Sequence, residues 1–541
     1  MSDNAARSRP DSGEDTNIIE TLQSLTVAFA LAMTVRAFVT EGFVIPTGSM
    51  APTLLGAHLR YQSPATGYSY AFDAAPVVDL ARRTVDGQMR DFPRPLFDPM
   101  VSTQTPIEGR SNLQLATQAR MGDRVLVLKF LYPFFAPGRW DVVVFKNPTD
   151  PTGDTQNYIK RLVGLPDEQL LTVDGDVFTA PLDGGLADFR IARKPEYVQR
   201  TVWQPVWDSD YAPTDVKRLA EVMRRPWEGA PLAGEGWDTS GRALTVGVAT
   251  PSELKWNNAI LPITDWNAYN VHRGNPLVYP VSDIRVTAAI EADDPAALAT
   301  ELELTARGHL FTFAVANGEL TLSLRHFEAT EPSKVATFPI EIPAAGRPCE
   351  LEFWHVDESM QVWLNGSLVG SLEYDWPIED RIRYTYVGRT VEQYAADPID
   401  TVGPPPQLSW RFRGSPLSLH RVRVDRDLHY RPTELHPGDQ ADTNGEYVAG
   451  LGFGSDVMRP GRLEAGQFLM MGDNSAASRD GRVWGRPHPL VTRTYGLDAP
   501  FVVPTPLLLG KAWCVYFPAP LPFNGTGKAI IPDFGELRFI R

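Results

Sequence analysis

The chain has 541 residues, too many for one ordinary hydrophobic core, so two or more domains are expected. Its 22% charged and 43% hydrophobic residues read as folded protein and exclude wholesale disorder. Acidic residues outnumber basic ones by 66 to 51, a net charge of −15 without a basic stripe, which argues against nucleic acid as a partner.

Residues 1–18 are polar and read as a disordered tail. Residues 19–40 form a transmembrane candidate. Between Thr21 and Thr40 the only charge is Arg36, and about twenty mostly apolar residues are enough to cross a bilayer as a helix. Ala28-Phe29-Ala30 would suit a cleaved export signal, but the tail before it lacks a positive region and the apolar run is short. An uncleaved anchor is expected. Charge balance in the tail leaves its orientation open.

Immediately after the anchor comes Phe43-Val44-Ile45-Pro46-Thr47-Gly48-Ser49-Met50-Ala51-Pro52-Thr53-Leu54. Prolines fix the backbone on either side, and the glycine permits close approach, so a serine hydroxyl can be held rigidly here. Residues 57–118 are irregular and rich in Pro and Asp. Two valine-rich runs then read as strands, 122–130 (opening Gly122-Asp123-Arg124-Val125-Leu126-Val127) and 141–146 (after Arg139-Trp140). Tyr158-Ile159-Lys160-Arg161-Leu162-Val163-Gly164-Leu165-Pro166 places a lysine inside an apolar run. Leu170 to Phe178 continues the strand pattern, with Asp174-Gly175 as a hairpin turn.

Beyond about residue 200 the composition shifts: ten of the thirteen tryptophans lie between Trp203 and Trp410, which marks a module with its own core. Phe311, Phe313 and Val315 alternate up to Asn317-Gly318, and Leu320, Leu322 and Leu324 return. The same pattern surrounds Asp357-Glu358 and Asn365-Gly366. Period-two runs joined by such turns predict an antiparallel β-sandwich over residues 200–430, similar to concanavalin/laminin-G-like jelly rolls around Val362-Trp363-Leu364-Asn365-Gly366. Its tryptophans are expected in the core, though a glycan- or protein-binding sandwich is the rival reading. Such a module should fold independently, so a short linker in its place is expected to leave the rest active. After residue 430, Gly472-Asp473-Asn474 opens a polar loop that ends Ser478-Arg479-Asp480-Gly481-Arg482-Val483-Trp484-Gly485.

A serine nucleophile needs a base. Among nine histidines none lies inside these segments, with His488 just after the last, and no G-x-S-x-G elbow is present. Lysine is the alternative. Near its reference pKa only about one lysine in a few thousand is neutral at pH 7. Burial among Tyr158, Ile159, Leu162 and Val163 would disfavour the ammonium form of Lys160.

The Gly-Ser-Met, lysine and Gly-Asp-Asn segments, with the Gly122 and Arg139 boxes between them, resemble the bacterial type I signal peptidase (leader peptidase) family of Ser/Lys endopeptidases. The resemblance covers residues 20–60, about 120–180 and about 440–541. It implies a mainly β catalytic domain in two parts, 41–199 and 431–541, behind a single-pass anchor in the bacterial cytoplasmic membrane with its bulk outside. It further implies cleavage of exported preproteins after Ala-x-Ala-like sites. Ser49 would be the nucleophile and Lys160 the base; Thr47 and the Ser49 N–H would form the oxyanion hole, and Ser478 would orient the lysine. Asp480 and Arg482 would be a supporting ion pair. Phe43, Ile45, Met50, Leu54, Tyr158 and Ile159 match apolar positions of the family's shallow substrate pockets. The family's Gly-Asp-Asn-Arg-x-Asn-Ser-x-Asp-Ser-Arg pattern is altered here by Ser475, Ala477 and Gly481.

No cofactor is implied. Where some relatives carry zinc-ribbon cysteine pairs this chain has Ser63-Pro64-Ala65-Thr66-Gly67-Tyr68 and Thr105-Pro106-Ile107-Glu108, so no metal is expected. Its two cysteines, Cys349 and Cys514, lack CxxC spacing, and whether they pair stays open. The implied partners are preproteins, the lipid bilayer and an unidentified ligand of the sandwich, if it has one. The alternative function is a membrane-anchored binding protein whose protease part is degenerate.

Overall fold

The computed structural model describes residues 18–63, 65–74, 96–101, 106–107, 120–150, 156–212, 225–231, 236–273, 277–342, 345–436, 450–496, 498–519 and 532–541. The tail of residues 1–17, with Pro64, Thr105 and Glu108, lies outside them. A helix over Ile18–Thr34 continues as a wider turn over Val35–Val39 and leads directly into the strand Thr40–Val44. Among the described residues it is the one helix long and apolar enough to cross a membrane, over Ile19–Val39, and no part of it is buried against the chain.

The molecule is mainly β. An eight-stranded antiparallel sheet runs in the order Thr40–Val44, Arg124–Leu128, Leu508–Phe517, Val142–Lys146, Asn157–Gly164, Gln467–Met471, Val503–Pro504, with Arg538–Phe539 beside Leu508–Phe517. Strands from before residue 200 and after residue 460 therefore interleave in one sheet. Strand alternation explains its two cores. Val125, Val127, Val142, Val144 and Ile159 pack on one face with Ile45, Met50 and Leu54. Val143, Phe145, Leu162 and Met470 pack on the other with Trp484 and Val503. A smaller sheet joins Arg190–Ile191, Asp176–Pro181, Glu168–Val173 and Gly461–Leu463, its hairpin turning through Asp174 and Gly175 at positive φ.

Between Gln204 and Arg426 two seven-stranded antiparallel sheets face each other. Phe311, Phe313, Val315, Leu320, Leu322, Leu324, Leu351, Phe353, Met360 and Val362 all point into the layer between them. The turns Asn317-Gly318 and Asn365-Gly366 have positive φ at both residues, which matches the twist of tight hairpins. Trp207, Trp227, Trp256 and Trp410 lie in the same core, their rings mostly edge to face. The first and last strands of this region pair with each other, Gln204 opposite Arg426.

The sandwich is not a free appendage. The Asp174–Asp176 turn of the small sheet is inserted among its charges. Arg307 binds Asp174 at 2.7 Å and Asp283 at 2.6 Å, and Arg381 contacts Asp174, Asp176 and Glu358. Lys194 bridges Asp357 and Asp427 at 2.5 and 2.8 Å. All are buried, so each partner depends on the other for neutralisation. Burial, reinforced by Asp283, pushes the Asp176 carboxyl well above the usual range. Cys349 and Cys514 are both free and lie in different sheets.

Candidate active site

Ser49 is the middle residue of a one-turn 3-10 helix, Gly48–Met50, closed by Ala51 N–H donating to Gly48 O at 3.0 Å. The Gly122-Asp123 box clamps this segment in place. Asp123 exchanges backbone hydrogen bonds with Ile45 and Leu55, and its carboxylate accepts from Leu55 N–H at 3.1 Å. A side chain at residue 122 is excluded, because a Cβ there would meet Ile45 O at 1.7 Å.

Lys160 stands on Asn157–Gly164 opposite Val143 and is 3% exposed. Its Nζ is in direct hydrogen-bond contact with Ser49 Oγ. Burial lowers the ammonium to about 8, against the opposing pull of Asp480 and Asp473. No histidine among the described residues has a hydrogen bond to either group; His58, nearest in sequence to Ser49, is bound through Nδ1 to Gly56 O. A neutral amine can accept the serine proton, which the ammonium cannot do.

Two fully buried ion pairs brace the loop that follows Gly472. Arg161 grips Asp473 with two hydrogen bonds, Nε to Oδ1 at 2.8 Å and Nη2 to Oδ2 at 2.7 Å, and Thr53 Oγ1 donates to the same carboxylate at 2.6 Å. Asp480 and Arg482 are likewise paired, at 2.8 Å, and Gly472 N–H donates to Asp480. Burial alone would raise the Asp480 carboxyl; Arg482 outweighs it and the net direction is down. Arg482 also donates to Ser475 Oγ and Ser475 O, so the serine that replaces the family's arginine is built into the loop. At Gly472 a Cβ would meet Ser49 O at 2.4 Å and Ser478 Oγ at 2.2 Å.

The structure brings together Ser49, Lys160, Thr47, Phe43, Ile45, Tyr158 and Ile159 around one cleft of about 940 Å³. Thr47, in extended backbone, stands on its rim. Three expectations need correction. Met50 and Leu54 do not line the cleft: both have 0% exposure and fill the core beneath it, Met50 from the 3-10 turn and Leu54 from the turn that follows, where its N–H donates to Met50 O. The Ser478 Oγ is buried beside the Asp480 carboxylate and makes no hydrogen bond to Lys160 in this structure. Nor does the sandwich stand clear of the site, since Tyr269 and Asn270 are part of the cleft wall. Arg161 and Asn474 also went unmarked as site residues. An arginine in an apolar strand next to the lysine was the available signal, since its buried charge requires a carboxylate.

Asp176, Asp283, Asp357 and Asp427 bring carboxylate oxygens within 4.8 Å of one another. Arg307, Arg381 and Lys194 already occupy that cluster as counter-ions, so it has no need of a metal.

Residues 103–181, which include Lys160, match the family model of signal peptidase, peptidase S26. Signal peptidase I of Rickettsia typhi is 26% identical over 155 residues, 29% of this chain; the chain spans 40% of that relative's length. Both matches support a type I signal peptidase. Among solved structures, a carbohydrate binding module from Bacillus subtilis is similar with TM-score 0.22 and 12% identity over 37% of this chain and 95% of its own. Sheep galectin-11 in complex with glycerol has TM-score 0.18 and 15% identity over 28% of this chain and 99% of its own.

Proposed function

We propose that this chain is a membrane-anchored signal peptidase that removes N-terminal signal peptides from exported preproteins by a Ser/Lys dyad. The observation that carries the reading is the contact between Ser49 Oγ and a lysine whose burial brings it to about 8. At that value roughly a tenth of the lysine is neutral at pH 7, several hundred times the fraction of a free lysine.

Ser49 Oγ attacks the scissile carbonyl while Lys160 Nζ takes its proton. The same proton then passes to the leaving amine, and a water activated by Lys160 hydrolyses the acyl-enzyme. The Ser49 N–H and Thr47 hydroxyl receive the oxyanion; one such donor contributes about 3–4 kcal/mol. Neutral Lys160 keeps two N–H donors once its lone pair is engaged, and the buried Ser478 hydroxyl is the acceptor we assign to one of them. Asp480 and Arg482 hold the loop that carries Ser478. Phe43, Ile45, Tyr158 and Ile159 form shallow apolar walls suited to small side chains such as alanine.

The helix before Thr40 serves as a single-pass anchor in the bacterial cytoplasmic membrane, with residues 41–541 on its outer face. Residues 41–199 and 431–541 form the catalytic domain and 200–430 the inserted sandwich. Ser49 then lies about ten residues beyond the span, at the depth where a signal peptide's own helix ends. The test is incubation of the detergent-solubilised full chain with a preprotein, beside Ser49→Ala and Lys160→Ala. Cleavage by the wild type alone is expected. Wild-type rates in either variant would refute the dyad.

A further inference from the structure

The Ser49 turn is held from below by the sheet and from behind by the Gly472 loop, and a third segment closes on it from the sandwich. This is the short 3-10 helix Ala268–Arg273, which belongs to the inserted region and packs against the strand Ser69–Asp73. Tyr269 is 2% exposed and stands against Gly48; a Cβ at residue 48 would meet its ring at 2.0 Å. Next to it, Asn270 exchanges two side-chain hydrogen bonds with Asn474, Nδ2 to Oδ1 at 2.6 Å and Oδ1 from Nδ2 at 3.0 Å.

Asn474 is the residue that fixes the nucleophile's backbone. Its N–H donates to Ser49 O at 3.1 Å, and the second proton of its Nδ2 donates to Gly48 O at 2.9 Å. The amide of Asn474 is buried with both N–H groups and its oxygen occupied, and Asn270 makes two of those three bonds. A second chain of contacts runs in parallel. Asp265, just ahead of the same helix, is ion-paired with Arg431, whose N–H donates to Ser475 Oγ at 2.9 Å. The insert thus reaches two consecutive residues of the Gly-Asp-Asn loop.

We propose that the inserted sandwich is a component of the active site, with Asn270 as a positioning residue that acts through Asn474 on the Gly48–Ser49 backbone. The proposal rests on the peptidase reading and deepens it. The Ser49 N–H in the oxyanion hole is useful only if that turn is fixed, because a preorganised donor loses its advantage when it must be reoriented during the reaction. Without Asn270 the Asn474 amide has an unpaired buried donor and acceptor. It can satisfy them only by turning away from Gly48 O or by admitting water. The cost falls on the acylation step, not on substrate binding.

The experiment compares the full-length wild type with Asn270→Ala and Asn270→Asp on a preprotein. Aspartate has asparagine's shape but cannot donate when ionised, so it keeps the fold and breaks the pairing. Both variants are expected to lower kcat about tenfold, the loss of one to two hydrogen bonds, with KM unmoved and the thermal unfolding midpoint lowered by no more than about a few degrees. Wild-type kcat in both variants, or a change confined to KM, would overturn the proposal while leaving the peptidase reading intact. A wild type inert toward the preprotein would overturn that reading, and the proposal with it.

Discussion

Replacing Lys160 by methionine should abolish cleavage and at the same time make the fold harder to unfold at neutral pH. The side chain is 3% exposed, and burial brings its ammonium from 10.5 down to about 8 in the folded chain. Because the unfolded chain binds that proton more tightly, folding is penalised at every pH below 8. The penalty shrinks as pH rises from 8 to about 10.5, where both states are neutral. At roughly 1.4 kcal/mol per pH unit the full penalty is about 3 kcal/mol. Methionine fills similar volume without the charge but gives up the contact with Ser49 Oγ, a loss of about 1 kcal/mol. The net gain is then about 2 kcal/mol at pH 7, turning into a small loss near pH 11. Amide hydrogen exchange along a urea series, followed on peptides from Asn157–Gly164 and Gln467–Met471, reads the stability of the sheet concerned. A variant less stable than wild type at pH 7, with no convergence between pH 8 and 10.5, would show that Lys160 carries no burial penalty. The support for a neutral base would go with it.

The pH dependence of kcat/KM on a preprotein should show a rising limb centred near 8, since the neutral form of Lys160 is required; a limb at the ordinary histidine value would point to another base. Ser478→Ala should slow cleavage about tenfold, far less than Ser49→Ala, by the loss of one hydrogen bond to the amine; an unchanged rate would show that its hydroxyl does not serve the reaction. Asp473→Asn strips the buried Arg161 guanidinium of its counter-charge and should cost about 3–5 kcal/mol, seen as a lowered urea midpoint of the same sheet.

Sequence periodicity carried the sandwich well because its information is local. Phe311, Phe313 and Val315 alternate, Asn317-Gly318 adopts the positive φ values that a two-residue turn needs, and Leu320, Leu322 and Leu324 fall into register opposite them. The Ser49 and Lys160 segments were legible for a different reason: residues of unusual type stand in settings that restrict them, a serine between prolines and a lysine in an apolar strand. Direction of burial was not legible at that level. Met50 and Leu54 are apolar neighbours of Ser49 just as Ile45 is; all three pack in one core, and only the folded path of the chain decides that Ile45 also borders the cleft. Asn270 was invisible. It meets Asn474 across 204 residues, and an isolated asparagine in a loop has no periodicity to announce it.

The electrostatics of the site turn on how its carboxylates are paired. In the proposed dyad Lys160 must be neutral to act, yet Asp473 and Asp480 lie near enough to favour its ammonium form. Left unpaired in a buried setting, two such carboxylates would return the lysine toward its ordinary value. Arg161 holds Asp473 and Arg482 holds Asp480, each by charge-assisted hydrogen bonds inside the protein. Arg482 offsets part of the carboxylates' pull on Lys160, burial remains the larger influence, and the amine stays accessible near pH 8. The same pairs fix the backbone at Gly472 and Asn474, and through Asn474 the turn that carries Ser49. Ion pairs of this kind add little net stability compared with a well-packed apolar core. Their use here lies in holding a polar loop rigid without charging the base it serves.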